Sequence, residues 1–320
     1  MIFTRGTTES INLVAKTFGP KFIQKGDEIL ISTLEHHSTI VPWQMLCEQT
    51  GAILKVIPVT DAGKLMMDEF EKLLSSKTKL VSIVHASNAL GTINPAKKII
   101  DAAHAVGAKV LLDGAQSASH LEVDVQELDC DFMAFSAHKL YGPTGLGVLY
   151  GKRELLEEMP PFLGGGEMIR EVTFEKTTYN TIPFKFEAGT PSIAEVIAFK
   201  PALDFITSTG KTNIHLHEHD LLQYAAELLQ DVKGVIPVGT AAEKIAVYSF
   251  NIQFMHPFDV GQLLDAKGIA VRTGHHCTQP LMHRLGLEGT VRASFAVYNT
   301  RAEVEVFAHA LAKIASLKNK

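Results

Sequence analysis

The features that mark membrane, secreted and nucleic-acid-binding proteins are scarce or missing in this sequence. No apolar run is long enough to span a bilayer, and no signal peptide is recognisable at the first residues. Acidic residues outnumber basic ones, 35 to 30, which argues against a nucleic-acid-binding surface. The three cysteines are an odd number and lack the spacing of a metal site or a disulfide framework. We therefore expect a cytoplasmic protein that binds neither membranes nor nucleic acid.

The composition that is present indicates a globular protein with a substantial core. Hydrophobic residues make up 46% of the 320 residues, and charged residues make up 20%. A chain of this length exceeds what a single hydrophobic core usually serves. We predict a large domain over residues 1–191 and a smaller domain over residues 192–320.

Short apolar runs alternate with helical patterns through the first half of the chain. Strands are predicted at Glu28–Ser32, Ile53–Pro58, Lys79–His85, Lys109–Asp113, Asp131–Ser136 and Gly145–Tyr150. Helices are predicted near Thr8–Phe18, Thr39–Thr50, Met66–Ser75 and Ala96–Val106. The alternation predicts an α/β fold with a large, mostly parallel sheet that is covered by helices on both faces.

The pattern changes after an irregular region that is rich in proline and glycine and ends near Pro191. Helices are expected near Ile193–Ser208, Asn213–Val232, Asp259–Lys267 and Ala302–Ser316, and strands near Val235–Val238, Ala246–Phe250 and Ile269–Val271. This arrangement is typical of a smaller α+β domain.

An aspartate and a lysine follow two neighbouring predicted strands. Asp113 ends one strand, and Lys139 closes the segment Ser136-Ala-His-Lys after the next. Open α/β sheets bind ligands at the carboxyl ends of their strands. A lysine there can form a Schiff base with a carbonyl cofactor, and an aspartate can hold a protonated pyridine nitrogen, which is the protein's part in pyridoxal phosphate chemistry. Gln116 can reach the phenolic oxygen of such a cofactor, and Ser136 and His138 can contact its phosphate.

Three further motifs each allow two interpretations. Gly6-Thr7-Thr8-Glu9 fits either an ordinary helix capped by threonine or a phosphate site at a helix N-terminus. His36 can stack on a flat cofactor, or it can belong to a surface histidine pair with His37. Asn88 can bind a ring hydroxyl, or it can be a turn asparagine.

The segment Arg272-Thr-Gly-His-His-Cys277 places a thiol among cationic and imidazole side chains. This setting favours the thiolate form of Cys277. A zinc site of His275, His276 and Cys277 is the alternative, which consecutive ligands on one short loop disfavour. Arg292 can take a substrate carboxylate as a bidentate fork. Cys47 and Cys130 lie in apolar contexts and are interpreted as small core residues.

These motifs together resemble those of the group II, SufS-like cysteine desulfurases, a branch of the fold-type I pyridoxal phosphate enzymes. The resemblance runs over nearly the whole chain and follows the family's order of motifs. The motifs are Arg5-Gly-Thr-Thr-Glu, Glu35-His-His, Val41-Pro-Trp-Gln, Asp113-Gly-Ala-Gln, Phe135-Ser-Ala-His-Lys-Leu-Tyr-Gly-Pro-Thr-Gly, Phe186-Glu-Ala-Gly-Thr-Pro, Arg272-Thr-Gly-His-His-Cys and Arg292-Ala-Ser.

The resemblance implies a role for each of these side chains. Lys139 would bind the cofactor covalently, Asp113 would hold its pyridine nitrogen, His36 would stack on its ring, and Gln116 would bind its phenolic oxygen. The phosphate would be held by Thr7 and Thr8, Ser136 and His138, with Thr190 contributing from a second subunit. Asn88, Arg272 and Arg292 would bind the substrate, and Cys277 would receive its sulfur as a persulfide.

The implied activity is conversion of L-cysteine to L-alanine, with sulfur passed to an acceptor protein of the SufE or SufU type for iron–sulfur cluster assembly. The implied assembly is a homodimer, in which a hairpin near Gly164-Gly-Gly-Glu-Met reaches across the interface. The alternatives are a selenocysteine lyase or carbon–sulfur lyase on the same scaffold, and an inactive remnant. The last alternative follows from an expectation that the family's N-terminal segment, which precedes the Arg5 motif, is missing.

Overall fold

The computed structural model describes residues 1–319, and its core is a seven-stranded sheet. The strands are β1 (Ile2–Thr4), β2 (Glu28–Ser32), β3 (Ile53–Ile57), β4 (Thr78–Val84), β5 (Lys109–Asp113), β6 (Phe132–Ser136) and β7 (Gly147–Gly151). Their order across the sheet is β1-β7-β6-β5-β4-β2-β3. Strands β2 to β6 are parallel, whereas β7 is antiparallel to both β6 and β1. The predicted α/β fold with a mostly parallel sheet is therefore confirmed.

Seven helices accompany this sheet within the described residues. They are α1 (Thr7–Phe22), α2 (His37–Thr50), α3 (Met67–Leu73), α4 (Ala96–Ala105), α5 (Ser117–His120), α6 (Val125–Leu128) and α7 (Arg153–Glu158). Alternate strand residues enter different apolar clusters: Leu111 joins one with Ile11 of α1, and Leu112 joins another with Ile99 of α4. Burial on both faces explains why these strands are nearly continuous apolar runs.

An exposed hairpin follows the large sheet. Its strands are β8 (Ile169–Val172) and β9 (Thr177–Tyr179). Phe174, in the turn between them, is fully exposed to solvent.

The C-terminal part forms a second, antiparallel sheet with its own apolar core. Its strands are β10 (Val235–Val238), β11 (Val247–Ile252), β12 (Arg272–Gly274) and β13 (Thr290–Ser294), in the order β10-β11-β13-β12. The helices are α8 (Ile193–Thr209), α9 (Lys211–Leu229), α10 (Pro257–Asp265), α11 (Gln279–Leu285) and α12 (Arg301–Ala315). The predicted smaller α+β region is confirmed, and its boundary at residues 191 and 192 stays a prediction.

No helix within residues 1–319 combines the length and apolar character that a membrane crossing requires.

Two local predictions were wrong. The strand expected at Ile269–Val271 lies at Arg272–Gly274, where the chain pairs with β13. The apolar pattern predicts a strand at residues 269–271, but the residues that form backbone hydrogen bonds with β13 are Arg272–Gly274. The predicted threonine cap of α1 is also absent: Gly6 is the N-cap residue, without a side-chain hydrogen bond, and Thr7 already lies in the helix.

A close backbone approach fixes where α1 begins. A Cβ atom built at Gly147 of β7 would lie 2.4 Å from the Cα atom of Gly6, too close for any side chain. The segment before α1 therefore rests directly on the backbone of β7.

We expect Gly147→Ala to destabilise the protein by about 1–3 kcal/mol, because the added methyl group must displace backbone atoms rather than a flexible side chain. Urea unfolding measures the change. Gly164→Ala is the matched control, since nothing lies within 4 Å of its added Cβ atom. Equal stability of the two variants would contradict the steric argument.

Candidate active site

The carboxylate of Asp113 lies at the carboxyl end of β5 and is almost completely buried. Its Oδ2 atom accepts a hydrogen bond from the Thr39 hydroxyl at 3.0 Å, and its Oδ1 atom accepts one from the Ala115 amide at 2.9 Å. Thr39 lies in the first turn of α2, three residues after His36, and no local sequence pattern indicates its contact with Asp113. A buried carboxylate with only neutral donors still favours a cationic partner.

A cavity of about 150 Å³ opens in front of this carboxylate. Most of the site residues predicted from the sequence line it, namely Thr7, Thr8, His36, Asn88, Asp113, Gln116, Ser136, His138 and Lys139. The topology brings them together because they follow the carboxyl ends of β2, β4, β5 and β6 or begin α1.

Lys139 lies in a one-turn 3₁₀ helix, Ala137–Leu140, directly after β6. Burial is the main cause that lowers the pKa of its ammonium group; Arg292 and Arg272 lower it further, while Asp113 and Cys277 oppose the change. A lower pKa raises the fraction of neutral amine at a given pH. Neutral amine is the form that adds to a carbonyl carbon.

His36 is held at the N-terminus of α2 by its own ring nitrogen. Its Nδ1 atom accepts a hydrogen bond from the Ser38 amide at 3.1 Å and lies 2.7 Å from the Ser38 hydroxyl. Burial is the main cause that lowers the pKa of the imidazole. The acceptor role of Nδ1 leaves the proton of the neutral ring on Nε2. Stacking of this ring on a cofactor remains a prediction.

The start of α1 and the end of β6 form a second, polar part of the site. The Ser136 hydroxyl accepts a hydrogen bond from the Thr7 amide at 2.8 Å and lies 2.8 Å from the Thr7 hydroxyl. An adjoining cavity of about 610 Å³ is lined by the same residues and by Arg5 and Lys16. The positive end of a 16-residue helix and the Lys16 side chain favour an anion such as phosphate there, whereas Arg5 is paired with Glu9, which lines the same cavity.

Thr190 does not join this cavity in its own chain. It lines a separate cavity with Phe3, Arg5 and Glu187. Its predicted contribution to the phosphate site from a second subunit stays a prediction.

Cys277 lies on a loop that is hydrogen-bonded to helix α2 beside the large sheet. The His37 amide at the start of α2 donates a hydrogen bond to the Cys277 carbonyl at 2.8 Å. The Arg272 guanidinium donates to the thiol Sγ at 3.5 Å, and the Cys277 amide donates to Nδ1 of His275 at 3.1 Å. His276 and Cys277 both have positive φ angles, 54° and 59°, a conformation that costs about 1–3 kcal/mol per residue. The loop contacts therefore hold the half-buried thiol in a strained position.

The side chains of this loop do not form a metal site. Within the part of the chain that the structure describes, no three His, Cys, Asp or Glu side chains are placed to share a metal ion. The alternative zinc site of His275, His276 and Cys277 thus finds no support in the geometry.

Asn88 and Arg292 connect the two sheets behind the loop. Asn88 donates from Nδ2 to the His276 carbonyl at 2.7 Å, and Arg292 donates from Nη1 to the Asn88 carbonyl at 2.7 Å. Burial, with a contribution from Arg272, lowers the pKa of Arg292 to about 10. The Oδ1 atom of Asn88 and the Nε atom of Arg292 are buried without a hydrogen-bond partner among the described residues. Such groups are expected to be satisfied by a bound polar molecule or water.

Glu35 is a second buried acid that the sequence reasoning did not single out. It is fully buried, and its carboxyl group accepts hydrogen bonds from the Ser32 hydroxyl at 2.5 Å and the Val84 amide at 2.8 Å. Burial, with a smaller contribution from Asp113, raises its pKa to about 8. It ties the segment before His36 to the end of β4. The only sequence indication of Glu35 is its place in the motif Glu35-His-His, directly before the two imidazoles.

Comparison with known proteins now assigns the family. Residues 1–307 match the family model described as aminotransferase class-V. The chain belongs to the class-V aminotransferase family. This membership indicates pyridoxal phosphate as the cofactor, and the buried carboxylate, the lysine of lowered pKa and the anion-favouring helix N-terminus fit its ring nitrogen, its aldehyde and its phosphate.

The similar proteins include several cysteine desulfurases. A curated "Cysteine desulfurase" of Synechococcus elongatus is 54% identical over 314 residues, which cover 98% of this chain and 50% of that protein. A "Probable cysteine desulfurase" of Halalkalibacterium halodurans is 50% identical over 98% of this chain and 77% of its own. The crystal structure of the Escherichia coli cysteine desulfurase CsdA matches with a TM-score of 0.95 and 41% identity, over 99% of this chain and 79% of that one. The chain spans about half the length of the Synechococcus protein and of two mycobacterial relatives.

Burial of the His276 imidazole should make the free energy of unfolding depend on pH. Its Nε2 atom lies 2.8 Å from the Thr290 hydroxyl, and burial lowers its pKa to about 3. Between pH 6.5 and 3 the unfolded chain therefore binds a proton that the folded chain does not, so stability falls as pH falls. The loss amounts to about 2 kcal/mol at pH 5.

We expect His276→Gln to reduce the dependence of unfolding free energy on pH between 7 and 5, measured by urea denaturation at each pH; the buried imidazole of His85, whose pKa burial lowers to about 4, keeps part of that dependence. The exposed His283→Gln is the control and should leave the slope unchanged. A parental slope in His276→Gln would show that this imidazole does not contribute to the pH dependence.

Proposed function

We propose that this chain is a pyridoxal phosphate-dependent cysteine desulfurase that converts L-cysteine to L-alanine and receives the sulfur on Cys277. The observation that carries the proposal is the attachment of the Cys277 loop to the edge of the cofactor site. The same loop is bound by the His37 amide and by Asn88, which itself lines the cavity containing Lys139. A thiol held beside a cofactor lysine suits sulfur transfer better than simple elimination.

Different residues of the cavity would bind different parts of the cofactor. Asp113, kept in place by Thr39 and Ala115, would keep the ring nitrogen protonated. Lys139 would hold the cofactor covalently and afterwards move the α-proton of the substrate. When bound, pyridoxal phosphate supplies an electron sink for the carbon from which that proton is taken.

The substrate carboxylate would meet polar groups that now lack partners. The buried Nε–H of Arg292 has no hydrogen-bond partner within residues 1–319, and the Nη1 atom of the same side chain binds the Asn88 carbonyl. An arginine with a free N–H edge binds carboxylates well, and burial strengthens that hydrogen bond. Arg272, which lies opposite Arg292 in the β12–β13 pair, adds positive charge at the Cys277 thiol.

The sulfur step balances without an outside oxidant or reductant. The Cys277 thiolate attacks the substrate sulfur and forms a sulfur–sulfur bond, while the bond from that sulfur to Cβ breaks and its electron pair stays with carbon. Protonation of that carbon completes L-alanine, and the enzyme retains a persulfide. The hydrogen bond from Arg272 stabilises the thiolate before the attack.

The proposed assembly is a homodimer in the cytoplasm that delivers sulfur to an acceptor protein of the SufE or SufU type for iron–sulfur cluster assembly. Support for a dimer comes from the hairpin β8–β9, whose Val172 and Phe174 side chains are exposed in the single chain. Large apolar side chains exposed on a hairpin favour burial against a second protein surface. Thr190 would then reach the phosphate site of the partner.

We expect Cys277→Ala to form no persulfide and to lose L-cysteine turnover by on the order of a hundredfold or more, because the sulfur acceptor is gone. Incubation with L-cysteine followed by peptide mass spectrometry should place one added sulfur atom on Cys277 of the parent. Cys47→Ala is the matched control and should keep both properties, since Cys47 lies on α2 with a pKa raised by burial.

Other outcomes would identify the alternative activities. Undiminished L-cysteine turnover by Cys277→Ala would contradict the desulfurase and favour a carbon–sulfur lyase. Turnover of selenocysteine alone by the parent would favour a selenocysteine lyase. A parent that binds cofactor but turns over neither substrate would favour the inactive remnant.

A further inference from the structure

A buried glutamate outside the cavity contacts both of the segments that carry the cofactor residues. Glu218 lies in α9 of the C-terminal part and is 1% exposed. Its Oε2 atom lies 2.6 Å from Nδ1 of His120, and its Oε1 atom accepts a hydrogen bond from the Tyr141 hydroxyl at 3.5 Å. His120 ends α5, the short helix that follows Gln116. Tyr141 lies two residues after Lys139.

Tyr141 is fixed independently by its backbone and its ring. Its φ angle is +60°, and its amide donates to the Ala137 carbonyl to end the 3₁₀ helix that carries Lys139. Its ring packs edge-on against Phe205 of α8, with 5.5 Å between centroids. Burial, with a contribution from Glu218, raises its pKa to about 12, so the hydroxyl keeps its proton and can donate. A displacement of Tyr141 therefore moves the Lys139 turn.

The segment around α5 also forms hydrogen bonds with α9, the helix that carries Glu218, at two further positions. The Lys211 ammonium donates to the Ala118 carbonyl at 3.0 Å, and the Thr212 hydroxyl donates to Glu122 at 2.9 Å. The contacts at Lys211 and Thr212 lie at the partly exposed start of α9. The Glu218 side chain itself is buried, and a hydrogen bond to a charged group is strongest where water is excluded.

We propose that Glu218 is a positioning residue that sets the spacing between the Asp113–Gln116 segment and the Lys139 turn. A buried carboxylate is costly unless both of its oxygens are satisfied, so the fold keeps His120 and Tyr141 within its reach. The proposal rests on the proposed cofactor site, but it concerns the alignment of that site and requires no turnover of cysteine. Glu218 itself touches no reacting atom.

The test compares Glu218→Gln with the parent. The amide keeps the volume but removes the carboxylate charge and replaces one acceptor oxygen with a donor group, so the contacts with His120 and Tyr141 become weaker, neutral hydrogen bonds. We expect affinity for pyridoxal phosphate, measured by absorbance titration, to fall about tenfold, which corresponds to about 1.4 kcal/mol. Amide hydrogen exchange in residues 117–120 and 137–141 should also accelerate, with or without cofactor.

Asp220→Asn is the matched control. Asp220 lies in the same helix and pairs with Arg301, but both side chains are about half exposed, so little change is expected. A double-mutant cycle of Glu218→Gln with His120→Asn should show coupling, because the two residues share the 2.6 Å contact. If Glu218→Gln does not fold, His120→Asn and Tyr141→Phe provide the same readouts.

The proposal is overturned if Glu218→Gln keeps the cofactor affinity and the hydrogen exchange rates of the parent. If Glu218→Gln does not fold, the same result in both His120→Asn and Tyr141→Phe overturns it. An equal rise of exchange throughout the chain would also overturn it, because that result indicates general destabilisation rather than positioning. A parent that binds cofactor without turning over cysteine would refute the proposed function alone. If the parent binds no cofactor, hydrogen exchange alone tests the proposal. Faster exchange of Glu218→Gln confined to residues 117–120 and 137–141 supports the positioning role, and unchanged exchange there contradicts it.

Discussion

The burial of one carboxylate, that of Asp113, is the constraint on which the site depends. It lies at the end of the central strand β5 and is held by a hydroxyl from α2 and an amide from the next turn. An ionised group in such a position needs a cation, and the protonated ring nitrogen of the cofactor would supply one. The helix that begins at His37 is thus fixed at one point to Asp113, through Thr39, and at another to the Cys277 loop, through the His37 amide. Cofactor site and thiol are positioned by the same helix.

The thiol is brought to the cavity by the joining of two sheets rather than by either sheet alone. Asn88 follows β4 of the large sheet, Arg292 lies in β13 of the small one, and their hydrogen bond holds the two together behind Cys277. The positive φ angles at His276 and Cys277 are maintained against their energetic cost by these contacts. Placement on a strained, anchored loop limits the positions available to the sulfur atom, which is what transfer from a bound substrate requires.

The elements and the chemical residues could be predicted from the sequence, whereas the contacts between distant segments could not. The bounds of β2 and β5 follow from apolar runs, and Asp113 and Lys139 stand out because each follows such a run. The three-residue strand β1 is too short to give a pattern, and it exists because β7 offers an edge for pairing. Thr39 against Asp113 and His120 against Glu218 depend on how helices cross the sheet, which no local pattern encodes. Residue type predicts a threonine cap for α1, but Gly6 takes the N-cap position, and the Ser136 hydroxyl from β6 accepts the hydrogen bond of the Thr7 amide in the first turn.

Covalent trapping of the cofactor tests most directly whether Asp113 and Lys139 form one site. The protein is loaded with pyridoxal phosphate, reduced with borohydride, digested and mapped by mass spectrometry. We expect the cofactor to be attached to Lys139, the half-buried lysine that lines the cavity in front of Asp113. Lys109 and Lys152 lie near Asp131, at the opposite ends of these strands. Attachment to either of them, or no attachment at Lys139, would show that Asp113 and Lys139 do not form one cofactor site.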